Sequence, residues 1–469
     1  MRRDIGLSEL VYEYLHSCIL FERFPYGSKL PSIQDIARRF NVAKETVRRI
    51  FKQLEAEGLL HVDARKLAVV CYQRKQDDLS YTLQYFHNRQ YLFDDVYQSA
   101  NIVFSALMKE ASALLDKADR QAILTILQGK QLYHLENMTH ICLLYLGKLN
   151  NALIVSFFLE IIRYLRFPYL DCHNLLKTWE LRTEQSTSIL ILLDKIKHYE
   201  NSPWANTEIY MPQIYMDLVR QELNCHPPMQ PIERIPFRWK IHRKHPQLCQ
   251  TIAANILHQI KEGKLCYGEF LPSHSALVES LHVSNSTVRR ALDLLDNLGF
   301  VETVQGKGRR LLPLEECKEI AADDSLTRSS LQYFYDSFSF MAKLVKAVFL
   351  TAFETDTSTY PGFLAHVEKK QTYWYCADIQ CMLIESCPLQ VLKECLQILY
   401  RLQLWGLPLL KQLHDEQKLH EVENGCQAFL SALRIKNKKA CASALETMFF
   451  AQEQAIKSYM EETLLPGVS

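Results

Sequence analysis

The sequence predicts a mainly α protein in which a small helical domain with a short β hairpin is followed by an all-helical bundle, twice over. Three observations predict it. One stretch of chain occurs twice, the 469 residues include only 14 glycines, and long segments rich in Leu, Ala, Lys and Glu lie between the repeats. The repeated stretch is Leu271 to Leu312, and its counterpart runs from Leu30 to Val70. The two align without a gap at a constant offset of 241 residues: Pro31 with Pro272, Val42 with Val283, Thr46, Val47, Arg48 and Arg49 with Thr287, Val288, Arg289 and Arg290, and Gly58 with Gly299. The register extends upstream, where Tyr26 and Gly27 stand opposite Tyr267 and Gly268.

Each element of the repeat follows from its residues. Ile33 to Phe40 and Ser275 to Leu281 are long enough for two helical turns, and each ends at a short link, Asn41 to Ala43 or His282 to Ser284. A longer helix then begins. Ser284 is its expected N-cap in the second copy, with Val288, Leu292 and Leu295 on one face and Asn285, Ser286, Thr287, Arg289 and Arg290 on the other. Gly299 is the expected C-cap, after which Phe300 to Thr303 and Arg309 to Leu312 form short strands around Val304 to Gly308. This is the grammar of a winged helix-turn-helix. There the second helix presents short polar and basic residues at its N-terminus to base edges, and a glycine-containing wing passes close to the phosphates.

Both copies resemble the winged helix-turn-helix domain of the GntR family of bacterial transcription regulators over about 70 residues each. The LPS motif, the Thr-Val-Arg run, the glycine after the long helix and the basic wing all stand in register. The family's base-reading arginine falls on Lys44 and Asn285, and the arginine after its LPS motif on Gln34 and Ser275, so neither copy is complete. What the resemblance assigns to DNA is Lys44, Thr46, Arg48 and Arg49 with wing residues Arg65 and Lys66 in the first copy. In the second it assigns Ser273, Asn285, Ser286, Thr287, Arg289 and Arg290 with Gln305, Gly306 and Lys307. Ala43 leaves the first copy without a capping hydroxyl. The second copy is therefore expected to dominate base reading and the first to contribute mainly electrostatics.

Charge distribution agrees. Residues 1–75 hold 14 Lys or Arg against 9 Asp or Glu, and residues 238–312 hold 11 against 6, although the whole chain has a net charge of only +1. Positive charge is concentrated where phosphates are expected. Met1 to Asp4 leads straight into a helix bearing Glu9 and Glu13, so no signal peptide is expected, and the most apolar region, Ile141 to Leu165, is interrupted by Lys148, Asn150, Asn151 and Glu160. A cytoplasmic location and no membrane partner are expected. The 14 cysteines show no CxxC pair, so reduced buried thiols are expected.

In chain order, residues 1–75 form the first winged domain, opening on an amphipathic helix from about Leu7 to Leu20. Residues 79–225 form a helical body. A segment with Pro227, Pro228, Pro231 and Pro236 follows at 226–238, which no helix can cross. Residues 239–313 form the second winged domain, Glu315 to Thr327 a polar link, and residues 328–465 a second helical body. The bodies open alike, with Leu83, Gln84, Tyr85 and Phe86 against Leu331, Gln332, Tyr333 and Phe334, so the duplicated unit is the whole module.

Within the GntR family such helical bodies resemble the FCD ligand-binding and dimerisation domain, whose Asp and three His hold a divalent metal. The corresponding positions are Glu136 and His140 in the first body, Trp374 and Asp378 in the second, and Cys426 and Met448 toward the C-terminus. The set is broken, so no metal and no cofactor are expected, with Glu136 and His140 only weak candidates. No GxSxG, HExxH, Walker or dinucleotide motif occurs, and no enzyme is expected. Tyr373, Trp374 and Tyr375, and Cys376, Cys381, Cys387 and Cys395, are expected to pack in the core. The expected function is sequence-specific regulation of transcription from a double-stranded DNA operator, responsive to a small-molecule effector, with one chain acting as a pseudo-dimer and a homodimer left open. The alternative is a ligand-sensing or scaffolding protein whose winged domains bind proteins.

Overall fold

In a computed structural model the chain is described at residues 7–20, 24–40, 42–63, 66–73, 78–127, 135–165, 216, 219–221, 223–241, 248–261, 263–322, 324–355 and 375–464. It divides into two units, Met1–Arg238 and Trp239–Ser469. It is mainly helical, and among the described residues its only sheets are two antiparallel pairs of short strands.

The first unit begins with α1 (Leu7–Leu20), α2 (Ile33–Arg39), α3 (Lys44–Ala56), β1 (Leu60–His61) and β2 (Val69–Val70). In α3, Val47, Ile50, Phe51 and Leu54 fall on one face and are buried, as 3.6-residue periodicity requires. They join Val11, Leu15, Ile36 and Leu60 in one core. The second unit repeats the arrangement with α9 (Leu248–Lys261), α10 (His274–Leu281), α11 (Asn285–Asn297), β3 (Val301–Val304) and β4 (Gly308–Leu311). Its hairpin pairs Val301 with Leu311 and Val304 with Gly308. The backbone network is duplicated as well. Gly27 N–H donates to Val70 O as Gly268 N–H does to Leu311 O, and Leu30 N–H donates to Ala68 O as Leu271 N–H does to Arg309 O.

The glycine expected as a helix C-cap stands one residue further on. Leu298 is the cap, and Gly299 turns the chain at φ +85°, with Gly58 at +75° in the first copy.

The first helical body holds α4 (Asp78–His87), a 3₁₀ turn at Gln90–Leu92, α5 (Phe93–Ala113), α6 (Lys117–Leu127), α7 (Leu135–Gly147) and α8 (Ala152–Leu165). The second holds α12 (Ser325–Thr355), α13 (Tyr375–Ser386), α14 (Gln390–Gln403), α15 (Leu407–Asp415), α16 (His420–Arg434) and α17 (Lys438–Tyr459). The matched openings diverge after their shared residues. The second continues as the 31-residue α12, whereas the first breaks after His87. At that break the Asn88 carbonyl accepts from Ile235 N–H at 3.0 Å, and the Asn88 and Gln84 side chains accept from the N–H groups of Glu233 and Gln230. The Tyr164 hydroxyl donates to Ile235 O at 2.8 Å, and Phe237 is buried. The Pro-rich segment is thus extended, as its prolines require, but it is pinned along the first body.

Each winged domain is anchored to its own body differently. In the first unit Arg163 of α8, with its side chain 5% exposed, lies 3.7 Å from both Glu9 and Glu13 of α1 and 3.4 Å from Glu160. In the second, Gln250 of α9 donates to Ser330 of α12 at 3.0 Å, and Asn297 at the end of α11 donates to Asp324 at 2.8 Å. One anchor is ionic and the other neutral or charge-assisted. No helix among the described residues is long and apolar enough to cross a membrane.

Candidate nucleic-acid interface

The first turn of each second helix is where the two domains expose polar and basic side chains. In α11, Asn285, Ser286, Arg289 and Arg290 are exposed and Thr287 is half-buried, while Val288, Ala291, Leu292 and Leu295 face the core. Ser284 caps the helix, its hydroxyl accepting from Thr287 N–H at 3.2 Å and bonded to the hydroxyls of Ser286 and Thr287. In α3, Lys44, Arg48 and Arg49 are exposed and Thr46 half-buried, and Ala43 supplies no side-chain cap. A missing cap of this kind costs about 1 kcal/mol of helix stability.

The two turns differ in electrostatics. Arg48 lies 2.9 Å from Glu45 one turn earlier, so the first domain spends part of its positive charge on its own carboxylate. Arg289 lies 3.8 Å from Asp293 and keeps 79% of its side chain exposed. Lys44 and Gln34, which hold the two positions of the family's lost arginines, meet at 3.5 Å. In the second copy Ser275 is bonded instead to Ser273, and His274 Nε2 lies 3.2 Å from the Asn285 carbonyl. Ser273, singled out for DNA, also caps α10 by accepting from Ala276 N–H. His274 was not legible as a site residue because its counterpart is the apolar Ile33.

In the second wing Gln305, Gly306 and Lys307 are exposed at the hairpin tip, with Gly306 at φ +76° and Gly308 at +109°. Arg310 is held by Glu302 at 2.6 Å. Arg309 reaches back to α11, 2.5 Å from Asp293 and 3.8 Å from Asp296. Sequence reasoning missed Arg309, Asp293 and Asp296. The available signal was two carboxylates three residues apart on the exposed side of α11. In the first wing Lys66 is exposed and paired with Asp63 at 3.0 Å, and Arg65 lies outside the described residues.

The Glu136 side chain and Trp374 lie outside the described residues, as do Tyr373, the Tyr375 side chain and Cys172. His140 is half-buried, and desolvation pushes its pKa down. No group of three His, Cys, Asp or Glu among the described residues could hold a metal ion. Met448 packs instead over Gly425 where α16 crosses α17, so close that a Cβ on Gly425 would come 2.8 Å from Met448 Cβ. No disulfide joins any of the described cysteines. Cys376, Cys387, Cys395, Cys426 and Cys441 are buried, and desolvation pushes the thiols of Cys376 and Cys395 well up. The expectation of buried thiols is corrected at Cys142, Cys317 and Cys381, which are half-buried, and at Cys71, Cys225 and Cys266, which are exposed. Of the three exposed ones, Cys71 follows β2, Cys225 ends the helical residues 223–225 and Cys266 lies in the turn before Gly268, where no core covers them.

Two helix-turn-helix units, each with a short β wing, define a class of protein built to set one helix end and one hairpin against a nucleic-acid duplex. The profile of the bacterial regulatory proteins of the gntR family matches residues 7–70 and 248–311, the same interval twice at an offset of 241 residues. Each winged helix-turn-helix domain of the chain is therefore similar to that of the gntR family over its matched interval. It is 32% identical over 89 residues to the Glc operon transcriptional activator of Escherichia coli (strain K12), which covers 19% of this chain and 35% of the relative. It is 48% identical over 56 residues to the HTH-type transcriptional regulator LutR of Bacillus subtilis (strain 168), 12% of this chain and 26% of that one. The chain thus spans about a third or less of the length of these curated relatives. Among solved structures, Streptococcus agalactiae GntR is 19% identical, covering 44% of this chain and 99% of its own, with a TM-score of 0.20. E. coli McbR/YncC is 18% identical, covering 45% and 97%, with a TM-score of 0.21. Scores of that size carry no argument about the fold.

Proposed function

We propose that this chain is a sequence-specific DNA-binding regulator of transcription, acting in the cytoplasm and without enzymatic activity. Its two winged domains bind one operator as a pseudo-dimer, and its FCD-like helical bodies answer to a small-molecule effector. The observation that supports it most is the first turn of α11. There a capped helix end exposes Asn285, Ser286 and Arg289, residue types that hydrogen-bond base edges or phosphates, beside a wing that exposes Lys307. The first domain offers a weaker version, with Lys44, Thr46 and Arg49 beside an Arg48 that is paired with Glu45. An asymmetric operator follows, one half-site read tightly and the other mainly through phosphates.

Selection of duplexes from a random pool by the full chain tests this, followed by a salt titration and the mass of the complex on the winning sequence. A two-part asymmetric site bound by one chain, with affinity falling steeply as salt rises, is the expected result. A palindrome bound by two chains would replace the pseudo-dimer with a homodimer. The second reading, winged domains that bind proteins, draws on Lys44, Asn285, Gln34 and Ser275 standing where the family has arginines. The absence of any enriched sequence and of salt-dependent binding would favour it.

A further inference from the structure

In the second winged domain an arginine that the first domain replaces with alanine joins the wing to the recognition helix. Arg309, in the middle of β4, is 19% exposed, and its Nη2 lies 2.5 Å from Asp293 Oδ1 on α11. Its Nη1 lies 3.8 Å from Asp296 Oδ2. Asp296 also accepts from the Thr303 hydroxyl of β3 at 3.3 Å and from Lys318, just beyond the hairpin, at 3.2 Å. Both strands of the wing and the chain leaving it are therefore tied to two carboxylates one turn apart on the helix.

The equivalent positions in the first domain are Ala68 for Arg309, Lys52 for Asp293, Glu55 for Asp296 and Val62 for Thr303. Ala68 is buried, Lys52 is exposed, and among the described residues the Glu55 carboxylate accepts from the Val62 backbone N–H, at 2.8 Å, with His61 3.9 Å away. An isolated, partly exposed ion pair contributes little, but a network with a mostly buried guanidinium fixes geometry.

Resting on the reading of this domain as a DNA-binding unit, we propose that Arg309 is a positioning residue. Its clamp on Asp293 and Asp296 sets the wing at a fixed distance and angle from the base-reading turn of α11, so the second domain meets DNA as one rigid two-point reader. The first domain, with Ala68 in place of Arg309, meets it without this constraint on its wing. Two consequences follow. Arg309 faces α11, and Arg310 is paired with Glu302 on the neighbouring strand, so Lys307 is the cation exposed at the wing tip. The clamp also draws Asp293 toward the wing, which leaves Arg289, 3.8 Å from the same carboxylate, reaching outward.

The test uses the full chain and two readouts. The first is amide hydrogen exchange across residues 301–312 of the free protein, for Arg309→Ala, Asp293→Ala, the double variant and Arg309→Lys. The expected result is faster exchange in either alanine variant, no further increase in the double variant, retention in Arg309→Lys, and no change at residues 60–70. The second is affinity and salt dependence on the duplex selected by the parent protein. Arg309→Ala is expected to weaken binding about tenfold through lost preorganisation with the salt slope unchanged, whereas Lys307→Ala lowers the slope by about 1. Unchanged wing exchange, strictly additive single variants, or a slope that falls by about 1 in Arg309→Ala would each overturn the proposal. If the parent chain binds no duplex, the DNA reading fails by itself and the exchange experiment still decides whether the clamp exists.

Discussion

Arg309 and Asp293, sixteen residues apart, meet at 2.5 Å between the wing and the recognition helix of the second domain, and the first domain puts Ala68 and Lys52 at the same two places. Two segments with the same backbone network therefore differ in how firmly helix and wing are joined.

The electrostatic difference between α3 and α11 sets the ranking of the arginines. Arg289→Ala removes a largely exposed guanidinium and is expected to cost about 1–3 kcal/mol of DNA binding. Arg48→Ala removes one already paired with Glu45 at 2.9 Å and is expected to cost less. Glu45→Gln, which releases Arg48, is expected to tighten binding. Titrations on the selected operator check all three, and equal losses for the two arginines would sink the asymmetric reading.

Gly299 and Gly58 share a left-handed backbone but not a neighbourhood. Gly58→Ala meets open space and is expected to cost only the left-handed penalty of about 1–2 kcal/mol. Gly299→Ala also drives its Cβ into the Lys318 carbonyl, a backbone atom that cannot swing aside, and is expected to destabilise more. Thermal unfolding of the two variants compared with the parent shows the order.

Arg163 sits buried among Glu160, Glu9 and Glu13, where it joins α8 of the first body to α1 of the winged domain. Arg163→Ala leaves the buried Glu160 without this partner and is expected to cost about 3–5 kcal/mol. Replacing both, as Arg163→Met with Glu160→Leu, is expected to recover most of the loss. Denaturant unfolding followed by intrinsic fluorescence measures both.

Asp324 is the N-terminal anchor of α12. Burial raises its pKa, but hydrogen bonds from the Thr327 hydroxyl and N–H, Leu326 N–H and Asn297 outweigh that and hold it below the ordinary carboxylate value. A depressed folded pKa means that its contribution is present above the unfolded value near pH 4 and is lost as pH falls through the folded value. Asp324→Asn is expected to flatten the acid limb of the unfolding midpoint between about pH 4 and pH 2. A limb of unchanged steepness would show that other carboxylates set it.

The winged domains were legible because their signals are local. The Ser284 cap, the apolar spacing of Val288, Leu292 and Leu295, and the glycine after α11 each specify backbone within a few residues, and the 241-residue repeat supplied each signal twice. Boundaries moved by a residue or two, with α10 starting at His274 and β3 running Val301–Val304. Of the candidate site, the sequence placed the exposed turns of α3 and α11 and the tip of the second wing. It did not place His274, Asp293, Asp296 or Arg309, whose partners come from another element.

By itself, then, the sequence determined the order of elements within the winged domains to within a residue or two, which of their faces are apolar, that the winged domain occurs twice, and where positive charge concentrates, since periodicity and capping are properties of neighbouring residues. Only the tertiary structure decided that the proline-rich segment lies pinned to Gln84 and Asn88, that α12 runs unbroken where the first body breaks after His87, and that Arg309 faces Asp293 while Arg48 faces Glu45. Apart from the one-turn Arg48–Glu45 pair, those are meetings between elements, set by how packed surfaces bring side chains together. A charged residue in a sequence has several partners within reach, and packing selects among them.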